Sequence, residues 1–447
     1  MANFSGVSRL PIGSKKLSLD PVWAEPPIAD IEVALLRNAA FPELARENGL
    51  AHEFVLVDPA ASARTPAHED LAMRIGACAG RLRIPLVVIG HEASAHFGNG
   101  GFPVSTYELD GLTGRAKDHA EDALRDRLRD VLASSRFSTR RHVFIPAFDA
   151  ALLHMVLDLA AEMAPKARPF IHLATWWEEA EMPHAARLGG LHSLGSRIDH
   201  LNSVRPSIFL YAWSRALAQR LRYQIGVPVQ PLDTPPELSL EGAGEAPSDR
   251  FTVGFLSSTG PGRGFDRLAA IVRAANQSAT NPQRTRFVIQ VRPDPAGRPL
   301  PADVQTHRAE LMAMPERNVS LIEDYMPRPL YLAALKRIDA LLLPYTADES
   351  VEYHSTTALH AMAAGKPIIT YDGIQIAGAP RSRILRAADD RVLGEIVSDL
   401  AADMASARKD AAAAKSSYWA TLRPSRLFAE LLYGPLIINN ASGVEAL

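Results

Sequence analysis

The most constraining feature of this chain is a repeated alternation. Short apolar runs rich in Val, Ile and Phe are separated by longer stretches with helical spacing. The first set of runs is His52–Val57, Ile84–Ile89, Val104–Leu109, His142–Ile145, Phe170–Leu173, Ile208–Tyr211 and Val227–Val229. Between them His68–Arg83, Asp118–Ser134, Asp149–Met163 and Ser214–Gln224 have the pattern of helices. The runs are continuously apolar, which a strand shows when both faces of its sheet are covered. Such strands alternating with helices predict an α/β fold with a parallel sheet.

A second alternation begins at Phe251. Its expected strands are Phe251–Leu256, Phe287–Val291, Val319–Ile322, Ala340–Leu343 and Ile368–Thr370. Its expected helices are Arg267–Asn276, Pro301–Ala313, Pro329–Lys336, Thr356–Ala364, Arg391–Ala405 and Ala411–Leu432. Residues 233–250 are rich in Pro, Gly and acidic side chains, which marks a linker. The expected organisation is an N-terminal extension over 1–50, a Rossmann-like domain over 51–232, the linker, and a second Rossmann-like domain with a terminal helix over 251–435. Two doubly wound units facing each other imply a cleft, with ligands bound beyond the carboxyl ends of the strands.

Composition narrows the partners. A formal charge of -2 over 447 residues gives no basic surplus to neutralise phosphates, so nucleic acid is not an expected partner. The single cysteine, Cys78, excludes an internal disulfide framework and fits a reducing, cytoplasmic compartment. No apolar run reaches the roughly 18–20 residues of a membrane span, and no basic amphipathic stretch stands out, which leaves at most peripheral membrane contact. Lysine is scarce, and none lies between Lys166 and Lys336. A side-chain cation in that stretch must be Arg or His.

Two segments carry chemistry. The first, Ala340–Thr370, consists of a buried strand, a loop with acidic residues, a helix and another strand. Ser355 precedes the helical pattern and suits the N-cap. Thr356, Thr357 and the first backbone N–H groups would then present donors and a partial positive charge, which suits a phosphate. An ordinary capped helix between two strands is the competing reading. Gly365 and Pro367 end the helix. The second segment, Val253–Leu268, follows a strand and opens a helix. Gly260, Gly262 and Gly264 allow close approach of a ligand to the backbone, and Arg263 stands among them. The spacing G-P-G-R-G is not the G-x-G-x-x-G of a dinucleotide site.

Both segments resemble the nucleotide-sugar-binding core of GT-B glycosyltransferases, glycosyltransferase family 4 above all. Leu341–Pro344 match that family's apolar strand ending in Pro, and Ala361, Met362, Ala363, Gly365 and Pro367 match its helix end. Glu352 matches the first of its two glutamates; the second falls on His360. In the glycine turn Arg263 stands at the family's lysine, with Gly264, Phe265 and Leu268 in register, while Phe255 occupies the place of a further arginine. Ser207–Pro235 looks like the exit from the family's first domain, and the likeness extends loosely over residues 51–435. It implies retaining, metal-independent transfer of a sugar from a nucleotide-sugar donor to a glycan, glycolipid or other acceptor, with no cofactor. Glu352 and Arg263 would be catalytic. Gly262, Arg263, Gly264, Arg292, Ser355, Thr356, Thr357 and His360 would bind the donor. Bacterial polysaccharide or glycolipid synthesis is the usual setting of the family. A neutral histidine has one acceptor nitrogen and cannot accept from two ribose hydroxyls as a carboxylate does. That departure keeps a non-catalytic nucleotide or glycan binder open, and an epimerase on the same fold.

In the first half, His68, His91, Asp149 and His172 are the candidates on the acceptor side, because each stands near a strand end. For the histidines the competing role is a structural hydrogen bond; for Asp149 it is an N-cap. Trp176 and Trp177 suit either sugar stacking or loop packing. No HExxH helix or tight ligand spacing points to a metal.

Overall fold

The computed structural model describes residues 53–62, 66–94, 96–97, 101–109, 112–133, 141–176, 191–242, 248–259, 262–291, 299–314, 318–346, 355–374, 376, 384–421, 427–428 and 430–431. Two parallel sheets organise the chain. The first has strands β1 (Glu53–Val57), β2 (Leu86–Ile89), β3 (Arg141–Ile145), β4 (Phe170–Thr175), β5 (Ile208–Ala212) and β6 (Val229–Pro231), in the order β2-β1-β3-β4-β5-β6. Around them lie α1 (Pro66–Leu82), α2 (Thr106–Leu109), α3 (Gly114–Ala133), α4 (Ala150–Glu162), α5 (His192–Val204) and α6 (Arg215–Ile225). The second sheet has β7 (Phe251–Phe255), β8 (Thr285–Gln290), β9 (Val319–Ile322), β10 (Ala340–Leu343), β11 (Ile368–Tyr371) and β12 (Ile384–Ala387), ordered β12-β11-β10-β7-β8-β9. Its helices are α7 (Leu268–Ser278), α8 (Ala302–Met312), α9 (Arg328–Arg337), α10 (Thr356–Ala364), α11 (Asp390–Ala402) and α12 (Met404–Thr421). Two doubly wound parallel sheets are what the alternation predicts, because strands such as β3, β5, β7 and β10 are buried along their whole length.

Each sheet has apolar clusters on both faces. Strand order reverses between β1 and β3 in the first sheet and between β7 and β10 in the second. Those two switch points, at the carboxyl ends of the strands, are where an open α/β sheet leaves room for a ligand.

Several elements differ from the expectation. Val104–Leu109 contains a short helix rather than a strand. Glu108 reaches back to cap the helix start there: the Ser105 backbone N–H donates to the Glu108 carboxylate over 2.8 Å, and its hydroxyl does so over 3.1 Å. That pairing stabilises a helix start over extension. Helix α5 and strand β12 were not expected at all. Residues Leu427, Phe428 and Leu431, expected in the second domain, are buried with Phe54 of β1 and Leu71 and Ile75 of α1.

The expected linker is partly built into the core. Leu240 packs with the second half, and Leu232, just before the linker, with the first. Between them Glu237 caps a 3-10 turn at Leu238–Leu240, accepting from the Ser239 backbone N–H over 3.1 Å.

Candidate functional site

Strand β7 delivers the chain into the glycine turn. Gly262 and Gly264 both have positive φ, 74° and 75°. A Cβ on Gly264 would lie 1.9 Å from the Pro344 carbonyl oxygen, so no other residue fits that place. The Thr346 backbone N–H donates to the Gly262 carbonyl over 3.1 Å. The loops that leave β7 and β10, the two strands at the switch point, are thus pressed together backbone to backbone.

Arg263 projects from this turn over the ring of Tyr345, its guanidinium carbon 5.0 Å from the ring centre. Tyr345 itself is 1% exposed. Its hydroxyl lies 3.0 Å from the Ser257 hydroxyl and 3.4 Å from that of Ser355. Ser355 is the N-cap of α10, as its sequence position suggests, accepting from the Ala358 N–H over 3.2 Å. Thr356 and Thr357 form the half-buried first turn, and the Thr357 side chain bonds to Tyr331. The structure therefore gathers Gly262, Arg263, Gly264 and the Ser355–Thr357 helix start at one switch point. A guanidinium and the N-terminal end of a helix there can neutralise an anionic group such as a diphosphate. Glu352 and Arg292 lie outside the described residues, as does Trp177.

His360 has a different setting from its neighbours on α10. It is 2% exposed. Its Nε2 is 3.3 Å from Asp70 of α1, and its Nδ1 is 3.4 Å from the Tyr331 hydroxyl. Burial pushes its pKa down, against the pull of Asp70. Asp70 also meets Nε of Arg74 at 2.8 Å and Nε of Arg328 at 2.9 Å, and Arg328 pairs in turn with Glu237. Burial would raise the Asp70 carboxyl, but His360, Arg74 and Arg328 outweigh it and hold it well below the usual carboxylate range. Asp70, Glu237 and His360 come close enough together to suggest a metal cage. Their chemistry does not suit one, because two guanidinium groups already occupy the carboxylates. This cluster joins the two halves of the molecule.

In the first sheet His68 and Asp149 lie near the β1–β3 switch point. Nδ1 of His68 is 3.0 and 3.1 Å from the two Asp58 oxygens, and its Nε2 is 3.2 Å from the Tyr107 hydroxyl. In a neutral imidazole whose Nδ1–H is given to the carboxylate, Nε2 is the acceptor for the phenol. Burial, together with Asp149 and Asp58, pushes the Tyr107 pKa up and keeps that proton in place. Trp176 meets the His68 ring edge-on at 4.9 Å. Asp149 caps α4 through the Leu152 N–H at 2.8 Å. His91 accepts from the Ala93 N–H at Nδ1 and donates from Nε2 to Glu108 over 2.8 Å. His172 was expected near a strand end beside the cleft. It lies instead inside β4 at 0% exposure, between His142 at 2.9 Å and the Tyr211 hydroxyl at 3.1 Å.

Tyr345, Ser257, Asp58 and Tyr107 escaped the sequence reading. The aromatic after Pro344 falls in the loop beyond the strand, where no local pattern marks it, and Asp58 looked like ordinary strand punctuation.

No known family's sequence profile matches the chain, and no curated protein matches it in sequence. Solved structures do match. Anabaena Alr3699/HepE in complex with UDP-glucose aligns with a TM-score of 0.55 and 12% identity, over 87% of this chain and 99% of its own. A trehalose-6-phosphate protein from E. coli bound with UDP-2-fluoro glucose aligns with a TM-score of 0.53 and 11% identity, over 89% of this chain and 99% of its own. The chain spans 57% of the length of TarM, which it matches over 70% of itself with a TM-score of 0.49 and 10% identity. The chain shares the two-sheet α/β fold of the first two, the GT-B architecture.

Proposed function

We propose that this chain is a glycosyltransferase that moves a sugar from a nucleotide-sugar donor to a glycan, lipid-linked or other acceptor, in the manner of family 4. The observation that carries the reading is the meeting of the Arg263 turn with the capped start of α10 at the β7–β10 switch point. A leaving diphosphate gains charge as its bond to the sugar breaks. Groups already held where that charge develops lower the barrier without having to reorganise. Arg263 and the first turn of α10 perform this task without a metal. Glu352 orients the sugar, and transfer retains configuration. On the opposite side, His68 and Asp149, with Trp176 beside them, frame the acceptor. The UDP-glucose and UDP-2-fluoro glucose bound by the two neighbours favour UDP as the nucleotide.

A second reading, nucleotide binding without turnover, rests on His360, whose nitrogens face Asp70 and Tyr331. A thermal-shift screen against UDP, GDP, ADP and their sugars tests binding, since stabilisation follows ligand concentration over Kd. Assays with an acceptor panel, with and without EDTA, test turnover and its metal independence. NMR of the product anomer tests retention. Transfer is expected with UDP released; binding with no turnover across the panel supports the second reading, and no binding by any nucleotide rejects both.

A further inference from the structure

Tyr345 touches each part of the anion site. Its ring lies under the Arg263 guanidinium at 5.0 Å. Its hydroxyl reaches Ser257, at the start of the loop that carries Arg263, and Ser355, the cap of α10. The residues on either side of it hold the same loop: Pro344 abuts Gly264, and Thr346 donates to Gly262. One buried side chain thus spans the loop after β7, the loop after β10 and the start of α10.

The length of the Arg263 side chain gives the reason such a residue is needed. Gly262 and Gly264 flank Arg263 with positive φ, and Pro344 and Thr346 hold that backbone. The long side chain it carries keeps its own rotamer freedom. An aromatic face at cation–π distance restricts that freedom before any ligand arrives. The hydroxyl has a separate task. It sits closer to Ser257 than to Ser355, so among the described residues the Ser355 hydroxyl, which already accepts from Ala358, finds a long contact for its own proton. That proton can turn toward an anionic oxygen at the helix start.

We propose that Tyr345 is the positioning residue of the anion site: its ring presets Arg263 and its hydroxyl ties that cation's loop to the cap of α10. This rests on the reading of the site as a diphosphate site. The test measures binding of inorganic pyrophosphate and of UDP to the full chain by calorimetry, for wild type, Arg263→Ala, Tyr345→Phe, Tyr345→Leu and the double variant Arg263→Ala/Tyr345→Leu. Circular dichroism checks the fold of each. Tyr345→Leu removes the platform and should weaken pyrophosphate about fivefold to tenfold, within the range of a partly desolvated cation–π contact. Tyr345→Phe keeps the ring and should weaken it about twofold. In the Arg263→Ala background Tyr345→Leu should cost no more than the about twofold loss due to its hydroxyl, because the ring acts through Arg263 and loses its effect when that residue is gone. Should Tyr345→Leu fail to fold, Tyr345→Met takes its place in the same comparison. Equal losses from Tyr345→Leu in both backgrounds, or a tenfold loss from Tyr345→Phe, would overturn the platform role while leaving the diphosphate site intact. Failure of wild type to bind either pyrophosphate or UDP would reject the diphosphate site and the proposal with it.

Discussion

Arg263 and His172 show how differently one charged or chargeable side chain can serve the same chain. Arg263 is half-buried on a glycine turn, over an aromatic face. A charge-assisted hydrogen bond contributes roughly 1.5–3 kcal/mol, and each 1.36 kcal/mol of barrier is about tenfold in rate. Arg263→Ala should therefore lower sugar transfer by one to two orders of magnitude with an unchanged melting temperature; unchanged turnover would remove it from the site. His172 is the opposite case. Burial pushes its pKa down from 6.5 to about 3. Between those values the unfolded chain binds a proton that the folded chain refuses. Stability is therefore complete above about pH 6.5 and falls as the pH drops, by up to about 1.4 kcal/mol per unit for this one group. His360, also depressed by burial, adds to the slope with the same sign. His172→Leu should be less stable than wild type at pH 7.5, having lost its bonds to His142 and Tyr211. Its stability should also fall less between pH 6.5 and 5, by about 1.5 kcal/mol. Urea titrations at the two pH values measure this, and parallel slopes would exclude His172 as the source.

At the scale of elements, legibility in the sequence followed the strength of local signals. Helix α10 was readable to the residue, because Ser355 caps it and Gly365, at φ 77°, ends it. The buried strands of both sheets were readable because their apolar runs are continuous. Helix α5 was not, and Gly195 explains why. Its sequence, HSLGSRIDHLNSV, has weak helix formers and a glycine inside it. The glycine is there for tertiary reasons: a Cβ would lie 2.0 Å from the Ile225 carbonyl oxygen at the end of α6. Close packing of two helices is invisible to a reading of one segment. Arg263 and the cap of α10 were readable as site parts for the same local reasons, whereas Tyr345 acquires its role only through Ser257 and Arg263, 88 and 82 positions earlier in the chain. Gly195→Ala should cost about 1–3 kcal/mol, the usual penalty for overpacking. Gly76, inside α1 with nothing within 4 Å of its would-be Cβ, provides the contrast. Gly76→Ala should stabilise by about 0.5–1 kcal/mol, since alanine is the better helix former. Equal effects of the two substitutions in thermal unfolding would refute the packing explanation.

At the scale of the whole molecule, the two halves are joined by buried charge. Arg74, 1% exposed, donates to the Pro235 carbonyl in the linker over 2.7 Å and pairs with Asp70 one helical turn before it. Arg328 of α9 reaches both Asp70 and Glu237, and His360 of α10 closes on the same carboxylate. Asp70 is thus the common counter-ion of a cluster drawn from α1, the linker, α9 and α10. A cluster of this kind adds modestly to stability when whole, because the gain in attraction roughly offsets the cost of desolvation. Breaking it is a different matter, since the partners left behind keep their burial and lose their compensation. Asp70→Ala strands Arg74 and should cost about 3–5 kcal/mol in urea unfolding. Replacing the pair together, Asp70→Ala with Arg74→Met, should recover a substantial part of that loss, because no uncompensated guanidinium then remains beside the linker. Because α10 carries both His360 and the Ser355 cap, the single variant should also weaken UDP binding, through a shift of the helix start and not through any direct contact. A loss below about 1 kcal/mol for Asp70→Ala, or a double variant less stable than the single one, would mean that apolar packing and not this cluster holds the two sheets in register.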